Sequence, residues 1–133
     1  KYDPLMVATS DLTRQSTEQA MSQLLELKRK PTAIVAFNDY VAFDAMQFAL
    51  KQGYTIYRDI CFVSYANLPM SGYTAFPPMA SVEQFPYRQG ENATQMLFKM
   101  MEKKSPVDSL FKIIIEPELI IPHLQHMHQH VAK

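Results

Sequence analysis

Two short apolar runs along this chain end abruptly in polar side chains. Residues 32–37 and 59–64 are almost uninterrupted apolar segments, the lengths of which suit strands. Neither run alternates with polar residues, so the pattern predicts strands that are buried on both faces of a parallel sheet. The first run is followed by Asn38-Asp39 and the second by Tyr65-Ala66-Asn67. Polar side chains therefore lie at the carboxyl ends of both predicted strands.

Helical spacing of apolar residues predicts three helices, at residues 13–29, 40–52 and 87–103. Asp11 or Thr13 is expected to cap the first helix, and Gly53 to follow the end of the second. Residues 68–80 are predicted to be a loop with at most a short helix. Further extended segments are expected at 80–84, 112–115 and 119–121, the last two as a strand pair or as one strand kinked at Pro117. This order predicts a layered α/β domain.

The polar groups at the ends of the two predicted strands are the candidate ligand-binding groups of the chain. In open α/β sheets, ligands bind at the carboxyl ends of the strands. Asn38 and Asn67 each carry an amide, which donates and accepts hydrogen bonds together and therefore suits a sugar hydroxyl. Asp39 has two interpretations, as a ligand contact or, more commonly for this residue type, as the N-cap of the second helix.

The composition of the chain argues against several classes of protein. The chain has 133 residues, 47% of them apolar and 20% charged, enough for one domain with its own core. The formal net charge is zero, and no basic face of the kind found in nucleic-acid-binding modules is visible. The single cysteine, Cys61, excludes a disulfide within the chain and is expected to pack as a small hydrophobic residue. No segment has the ~20 apolar residues needed to span a membrane.

Signals for catalysis or metal binding are weak. The four histidines lie in a tail at residues 123–133 that is expected to be flexible and therefore unsuited to a closed metal site. An α/β enzyme that uses Cys61 or a histidine is disfavoured, because no base is paired with a nucleophile. We therefore expect no enzyme activity, no metal and no cofactor.

The order of several motifs carries more information than any of them alone. Taken together they resemble the LacI/GalR bacterial transcription regulators from about residue 10 to residue 122. The motifs are Pro31-Thr32-Ala33-Ile34-Val35-Ala36 with Asn38-Asp39 and Ala42, Gly53-x-x-Ile56-x-x-Asp59-Ile60, Val63-x-Tyr65-x-Asn67, Pro77-Pro78-Met79-Ala80-Ser81-Val82-x-Gln84, Gly90-x-x-Ala93 and Ile115-x-Pro117-x-Leu119-Ile120-Ile121.

The resemblance implies a fold and a place within a longer protein. Residues 1–122 are expected to form the C-terminal part of a type I periplasmic-binding-protein-like effector domain, a truncated parallel-sheet lobe. The third predicted helix is expected to belong to the other lobe, which is missing here. Its apolar stripe, formed by Ala93, Met96, Leu97 and Met100, would then have no partner. We therefore predict that this helix either folds back on the chain or self-associates.

The resemblance also implies site residues. Six residues would line the ligand cleft, namely Leu12, Asn38, Asp39, Tyr65, Ala66 and Asn67. Phe43 and Met46 would face a partner subunit. The chain departs from the family pattern at three places, with Ala66 in place of a common acid, Ser64 in place of glycine, and Pro122-His123 in place of a common arginine. These departures leave the identity of the effector open.

The function implied is ligand sensing in a cytoplasmic, homodimeric transcription regulator. A small molecule, expected to be a sugar or a sugar phosphate, would bind between two lobes. It would thereby control operator DNA binding by a helix-turn-helix that this chain does not contain. The alternative is a periplasmic-type solute-binding or receptor sensor domain of the same fold. The segment Pro77-Pro78-x-x-Ser81-Val82-x-Gln84 favours the regulator.

Overall fold

A mixed four-stranded sheet with helices organises the chain. The computed structural model describes residues 3–102 and 112–121. The strands are β1 (Ala33–Val35), β2 (Cys61–Tyr65), β3 (Ala80–Glu83) and β4 (Glu118–Ile120), in that order across the sheet. The helices are α1 (Arg14–Leu25), α2 (Asp39–Lys51) and α3 (Pro86–Glu102), and short 3-10 turns occupy Pro4–Met6 and Pro69–Tyr73. The pairs β1–β2 and β2–β3 are parallel, whereas β4 runs antiparallel to β3.

The core lies between two helices and the middle of the sheet. Helix α1 packs against α2, and α2 packs against β2. Phe62, in β2, has no exposed surface and is among the largest fully buried side chains of the described residues. The core cluster around it consists of Met21, Leu25, Ala36, Ala42, Ala45, Met46, Ala49, Ile56 and Ile60. The predicted α/β class and the parallel pairing of the two apolar runs are thus confirmed.

Local sequence signals determined most of the element boundaries. Thr13, not Asp11, is the N-cap of α1, and its hydroxyl accepts a hydrogen bond from the Ser16 amide. Gly53 follows α2 with a φ of +83°, the left-handed conformation that glycine adopts without steric cost. The prediction of a strand at 112–115 is wrong, since within residues 112–121 only Glu118–Ile120, just after Pro117, pairs with β3.

The prediction that β1 is buried on both faces is also wrong. Val35 is 71% exposed, and Ala33, which lies on the same face of the strand, is exposed as well. β1 is the edge strand of the described sheet. Ile34 packs against the core cluster, which contains residues of α1 and α2, so these helices cover one face of β1, and no described residue buries the other face.

Helix α3 stands apart from the core. All of its residues belong to the described part of the chain, and none of them is buried. Its large apolar side chains are exposed, among them Leu97 (56%), Phe98 and Met101. The prediction that the helix folds back on the chain is therefore wrong, and self-association remains a prediction.

We expect the 133-residue polypeptide on its own to associate through α3. Burying each large apolar side chain contributes ~1.5–3 kcal/mol, so an uncovered stripe favours association. Sedimentation equilibrium should give a weight-average mass above that of the monomer at the highest soluble concentration. Leu97→Glu should return the mass toward the monomer, whereas Gln95→Glu, a charge change elsewhere on the same helix, should not. A monomeric mass for the unchanged chain at every concentration would contradict the prediction.

Candidate functional site

The carboxyl ends of three neighbouring strands form one edge of the sheet. Because β1, β2 and β3 are parallel, the residues that follow them emerge on the same side. Asn38 and Asp39 follow β1 closely, Tyr65 ends β2, and Glu83 ends β3. We refer to these residues, with Ala66 and Asn67, as the carboxyl edge.

Asp39 is the organising residue of the carboxyl edge. Its side chain is fully buried. One carboxyl oxygen accepts hydrogen bonds from the hydroxyls of Ser64 in β2 and Ser81 in β3, the latter at 2.9 Å. The other oxygen accepts from the Leu68 amide at 2.5 Å and from the Ser71 hydroxyl at 3.4 Å. The carboxyl group thus joins α2 to two strands and to the segment that follows β2.

This arrangement corrects two expectations for Asp39. The N-cap of α2 is Asn38, whose side-chain oxygen accepts from the Val41 amide at 2.9 Å, and Asp39 is the first residue of the helix. An acidic residue is also favourable in the first turn, where the helix dipole is positive. Since Asp39 has no exposed surface and its oxygens are bonded within the protein, it positions other residues and does not contact a ligand in this conformation.

Asn38 combines a structural role with an available donor. The backbone of Asn38 is extended, and the amide oxygen is engaged by capping. In the part of the chain that the structure describes, the amide nitrogen has no hydrogen-bond partner. The residue is partly exposed. Asn38 therefore offers two N–H donors at the end of β1.

Asn67 lies in a tight turn that β3 holds in place. Both Ala66 and Asn67 adopt positive φ angles, +99° and +47°. The Asn67 backbone amide donates to the Ser81 hydroxyl at 3.0 Å, and its side-chain amide donates to Glu83 Oε2 at 3.0 Å. This second bond orients the side chain, so the Asn67 carbonyl oxygen is the atom that remains for a ligand donor.

Glu83 is a second acidic residue of the carboxyl edge, beside Asp39, and was not among the residues predicted from the sequence. Its Oε1 accepts from the Phe85 amide at 2.6 Å. The hydrogen bond from Asn67, followed by that from Phe85, holds the pKa of Glu83 below its usual range. The signal that identifies Glu83 is register, because Val82 pairs with Tyr65 and the next residue of β3 therefore lies beside the end of β2.

Leu12 sits in a strained loop before α1. Its φ is +70°, a conformation that costs a non-glycine residue roughly 1–2 kcal/mol. The Ser10 hydroxyl accepts from the Leu12 amide at 3.0 Å, and Asp11 Oδ1 accepts from the Thr13 amide and hydroxyl at 2.9 and 2.6 Å. The Thr13 hydroxyl also lowers the pKa of Asp11. The loop presents Leu12 half exposed, and its place in the ligand cleft stays a prediction.

The remaining predicted residues have different outcomes. Tyr65 is partly exposed at the end of β2, and Ala66 brings no polar side chain to the edge. Met46 is only 2% exposed and belongs to the core cluster, so the expectation that it faces a partner subunit is wrong. Phe43 is partly exposed on α2, and its subunit contact stays a prediction.

The described residues contain neither a metal-binding cluster nor a membrane-spanning helix. Among residues 3–102 and 112–121, no group of three or more His, Cys, Asp or Glu side chains is arranged to hold a metal ion. The four histidines and the tail at 123–133 lie outside the described residues. None of the helices in the described ranges has the length and apolar character required to cross a bilayer.

Similarity to known proteins extends over most of the chain. Residues 2–121 match the periplasmic binding protein-like domain. The HTH-type transcriptional repressor CytR of Escherichia coli (strain K12) is 30% identical over 100 residues, which is 75% of this chain and 29% of CytR. The chain therefore spans less than a third of the length of that repressor.

Solved structures with the same fold support the match. The crystal structure of a putative LacI transcriptional regulator from Bacillus cereus subsp. cytotoxis has a TM-score of 0.73 and 29% identity, covering 84% of this chain and 38% of that one. A complex of the transcriptional regulator CelR with cellobiose has a TM-score of 0.77 and 24% identity, and it covers 91% of this chain and 36% of that one. The second likeness concerns the fold alone.

Proposed function

This chain belongs to the periplasmic-binding-protein-like domain family, in its LacI-regulator branch, and we propose that it is the ligand-sensing part of a bacterial transcription regulator. The effector is a small polyhydroxylated molecule of the sugar type, bound at the carboxyl edge. Ligand binding alters operator recognition by a DNA-binding domain outside this chain. The protein is a cytoplasmic homodimer, with Phe43 at the subunit contact, and it is not an enzyme.

The observation that carries this proposal is the mixture of donors and acceptors at the carboxyl edge. Asn38 provides N–H donors, the Asn67 carbonyl and the Glu83 carboxylate provide acceptors, and Asp39 fixes the backbone around them. A polyhydroxylated ligand needs both kinds of group, because each of its hydroxyls donates and accepts. The fold shared with a cellobiose-binding regulator supports the same ligand class.

The regulator is favoured over a solute-binding or receptor domain by the kind of relatives found. CytR is a repressor, and the solved structures that share this fold include transcriptional regulators. A helix-turn-helix encoded upstream in the same gene, together with specific operator binding by the full-length product, would test this choice directly.

The ligand role of Asn38 is testable without loss of its helix cap. In the full-length gene product, Asn38→Asp keeps an oxygen for the Val41 amide but removes the N–H donors. Calorimetric titration with cellobiose, ribose and glucosamine should show binding of at least one sugar by the unchanged protein. The variant should bind that sugar about tenfold more weakly, as expected for one lost hydrogen bond of ~1.4 kcal/mol.

Asn92→Asp is the matched control, because it makes the same chemical change on α3. It should leave the affinity unchanged. Equal affinity of Asn38→Asp and the unchanged protein for the sugar would show that Asn38 does not contact the ligand. If the unchanged protein bound none of the sugars, the proposed function itself would be contradicted.

A further inference from the structure

The carboxylate of Glu83 is the charged group of the carboxyl edge that has acceptor positions left over. A carboxylate accepts about four hydrogen bonds. In the described residues, Glu83 receives one on each oxygen, from Asn67 at 3.0 Å and from the Phe85 amide at 2.6 Å. The side chain is partly exposed, so donors from outside the protein have access to it.

In the described part of the chain, no cation forms an ion pair with this carboxylate. The ion pairs found among residues 3–102 and 112–121 are Arg14–Glu18, Lys51–Glu18 and Arg58–Asp59, none of which involves Glu83. Its two protein donors are neutral amides. The hydrogen bonds from these donors also lower the pKa of Glu83, which keeps it ionised at neutral pH. Among residues 3–102 and 112–121, the negative charge of Glu83 therefore has no ion-pair partner.

We infer that Glu83 contacts the effector and selects neutral or amino-bearing polyhydroxylated molecules over phosphorylated ones. Ligand hydroxyl or ammonium groups donate to the free positions on its oxygens, and such charge-assisted bonds are stronger than neutral ones. A phosphate group brings negative charge and acceptors toward a carboxylate, so binding of that group is opposed. The inference rests on the proposed function and narrows its ligand class.

The Asn67–Glu83 hydrogen bond makes the two side chains one recognition unit. Asn67 donates to Glu83 and is left with its carbonyl oxygen, so both members of the pair present acceptors toward the ligand. Two adjacent acceptors match two adjacent donors, as on a vicinal diol or an amino alcohol. The ionised phosphate group of a sugar phosphate has acceptors and no such pair of donors.

Binding of matched sugars by the full-length gene product tests the inference. The probes are ribose, glucose and glucosamine, with ribose 5-phosphate and glucose 6-phosphate as the anionic counterparts. The unchanged protein should bind a neutral or amino sugar about 100-fold more tightly than its phosphorylated counterpart, the size expected for a close like-charge contact. Glu83→Gln, which is isosteric but uncharged, should weaken binding of the preferred sugar about tenfold. It should also reduce the ratio between the affinities for the unphosphorylated and the phosphorylated sugar.

Two further variants make the experiment specific. Glu91→Gln removes a carboxylate from the exposed surface of α3 and should change neither affinity nor preference. Glu83→Lys reverses the charge and should shift the preference toward the phosphorylated sugar. Because the ligand-free melting temperature of each variant is measured alongside, a folding defect is separated from a recognition effect.

The outcomes separate this inference from the proposed function. Preference of the unchanged protein for phosphorylated sugars would overturn the inference while leaving sugar sensing intact. The same holds if Glu83→Gln binds as tightly as the unchanged protein. No binding of any probe, neutral or anionic, would overturn sugar sensing and the role of Glu83 together.

Discussion

Asp39→Ala is expected to lower the free energy of unfolding by about 3 kcal/mol. The substitution leaves the Ser64 and Ser81 hydroxyls and the Leu68 amide without their acceptor. Each buried group that loses its partner costs ~1–3 kcal/mol. The two hydroxyls lie 3.2 Å apart and can still bond to each other, which keeps the total below the full sum. A loss of this size is a large part of the 5–15 kcal/mol that is typical of a domain.

Urea denaturation of the full-length gene product, followed by circular dichroism, measures this loss. Asp44→Ala is the control on the same helix, because Asp44 is only partly buried and has no hydrogen bond or ion pair among the described residues. Its effect should stay within about 0.5 kcal/mol. Equal destabilisation by the two variants would show that the hydrogen bonds of Asp39 do not hold the carboxyl edge together.

Phe62→Ala is expected to destabilise the protein by about 3–5 kcal/mol. Phe62 is fully buried at the centre of the core cluster, where it lies with Ile60 and the α2 residues Ala45 and Met46. Truncation removes apolar contact and leaves a cavity that the surrounding helix and strand fill only in part. The midpoint of the urea transition should fall with little change in its slope.

Phe98→Ala provides the matched control for this second substitution. It is the same chemical change on the exposed surface of α3, where 58% of the side chain is accessible. In the isolated 133-residue chain, its effect on the unfolding free energy of the monomer should be small. If Phe98→Ala were as damaging as Phe62→Ala, the core would have to include α3, contrary to the packing described above.

The fold was largely predictable because its signals are local. Apolar periodicity placed all three helices, and the positive φ of Gly53 coincides with the end of α2 as its sequence position indicated. The run at 32–37 was recognisable as a strand from its composition. The burial of this strand could not be predicted from the sequence, because burial depends on which elements cover its two faces. Only one face of β1 is covered by the described residues.

The candidate site was less predictable, and Asn38 and Asp39 illustrate the reason. Both residue types are good N-caps, so local preference does not decide between two neighbours. The decision comes from Ser64 and Ser81, which are 25 and 42 residues further along the chain and supply the hydroxyls that hold Asp39 inside. No pattern around residue 39 contains that information.

Glu83 was overlooked for a related reason. An acidic residue at the end of a strand is common on protein surfaces and carries no motif. Its significance appears only when the β2–β3 register brings it beside Asn67, 16 residues earlier in the chain. Pairings across strands therefore identify this site better than the order of residues does.

The Ser81 hydroxyl connects β3 to the start of α2 and to the turn after β2. It donates a hydrogen bond to Asp39 at the start of α2 and accepts one from the Asn67 backbone amide in the turn after β2. Three residues after β3 ends, the chain enters α3. A displacement of α3 along the direction of β3 must therefore either break these two bonds, together with the backbone pairing to β2, or move the turn and the start of α2 with it. The Ser81 hydroxyl is thus one of the contacts through which the position of α3 and the shape of the carboxyl edge are coupled.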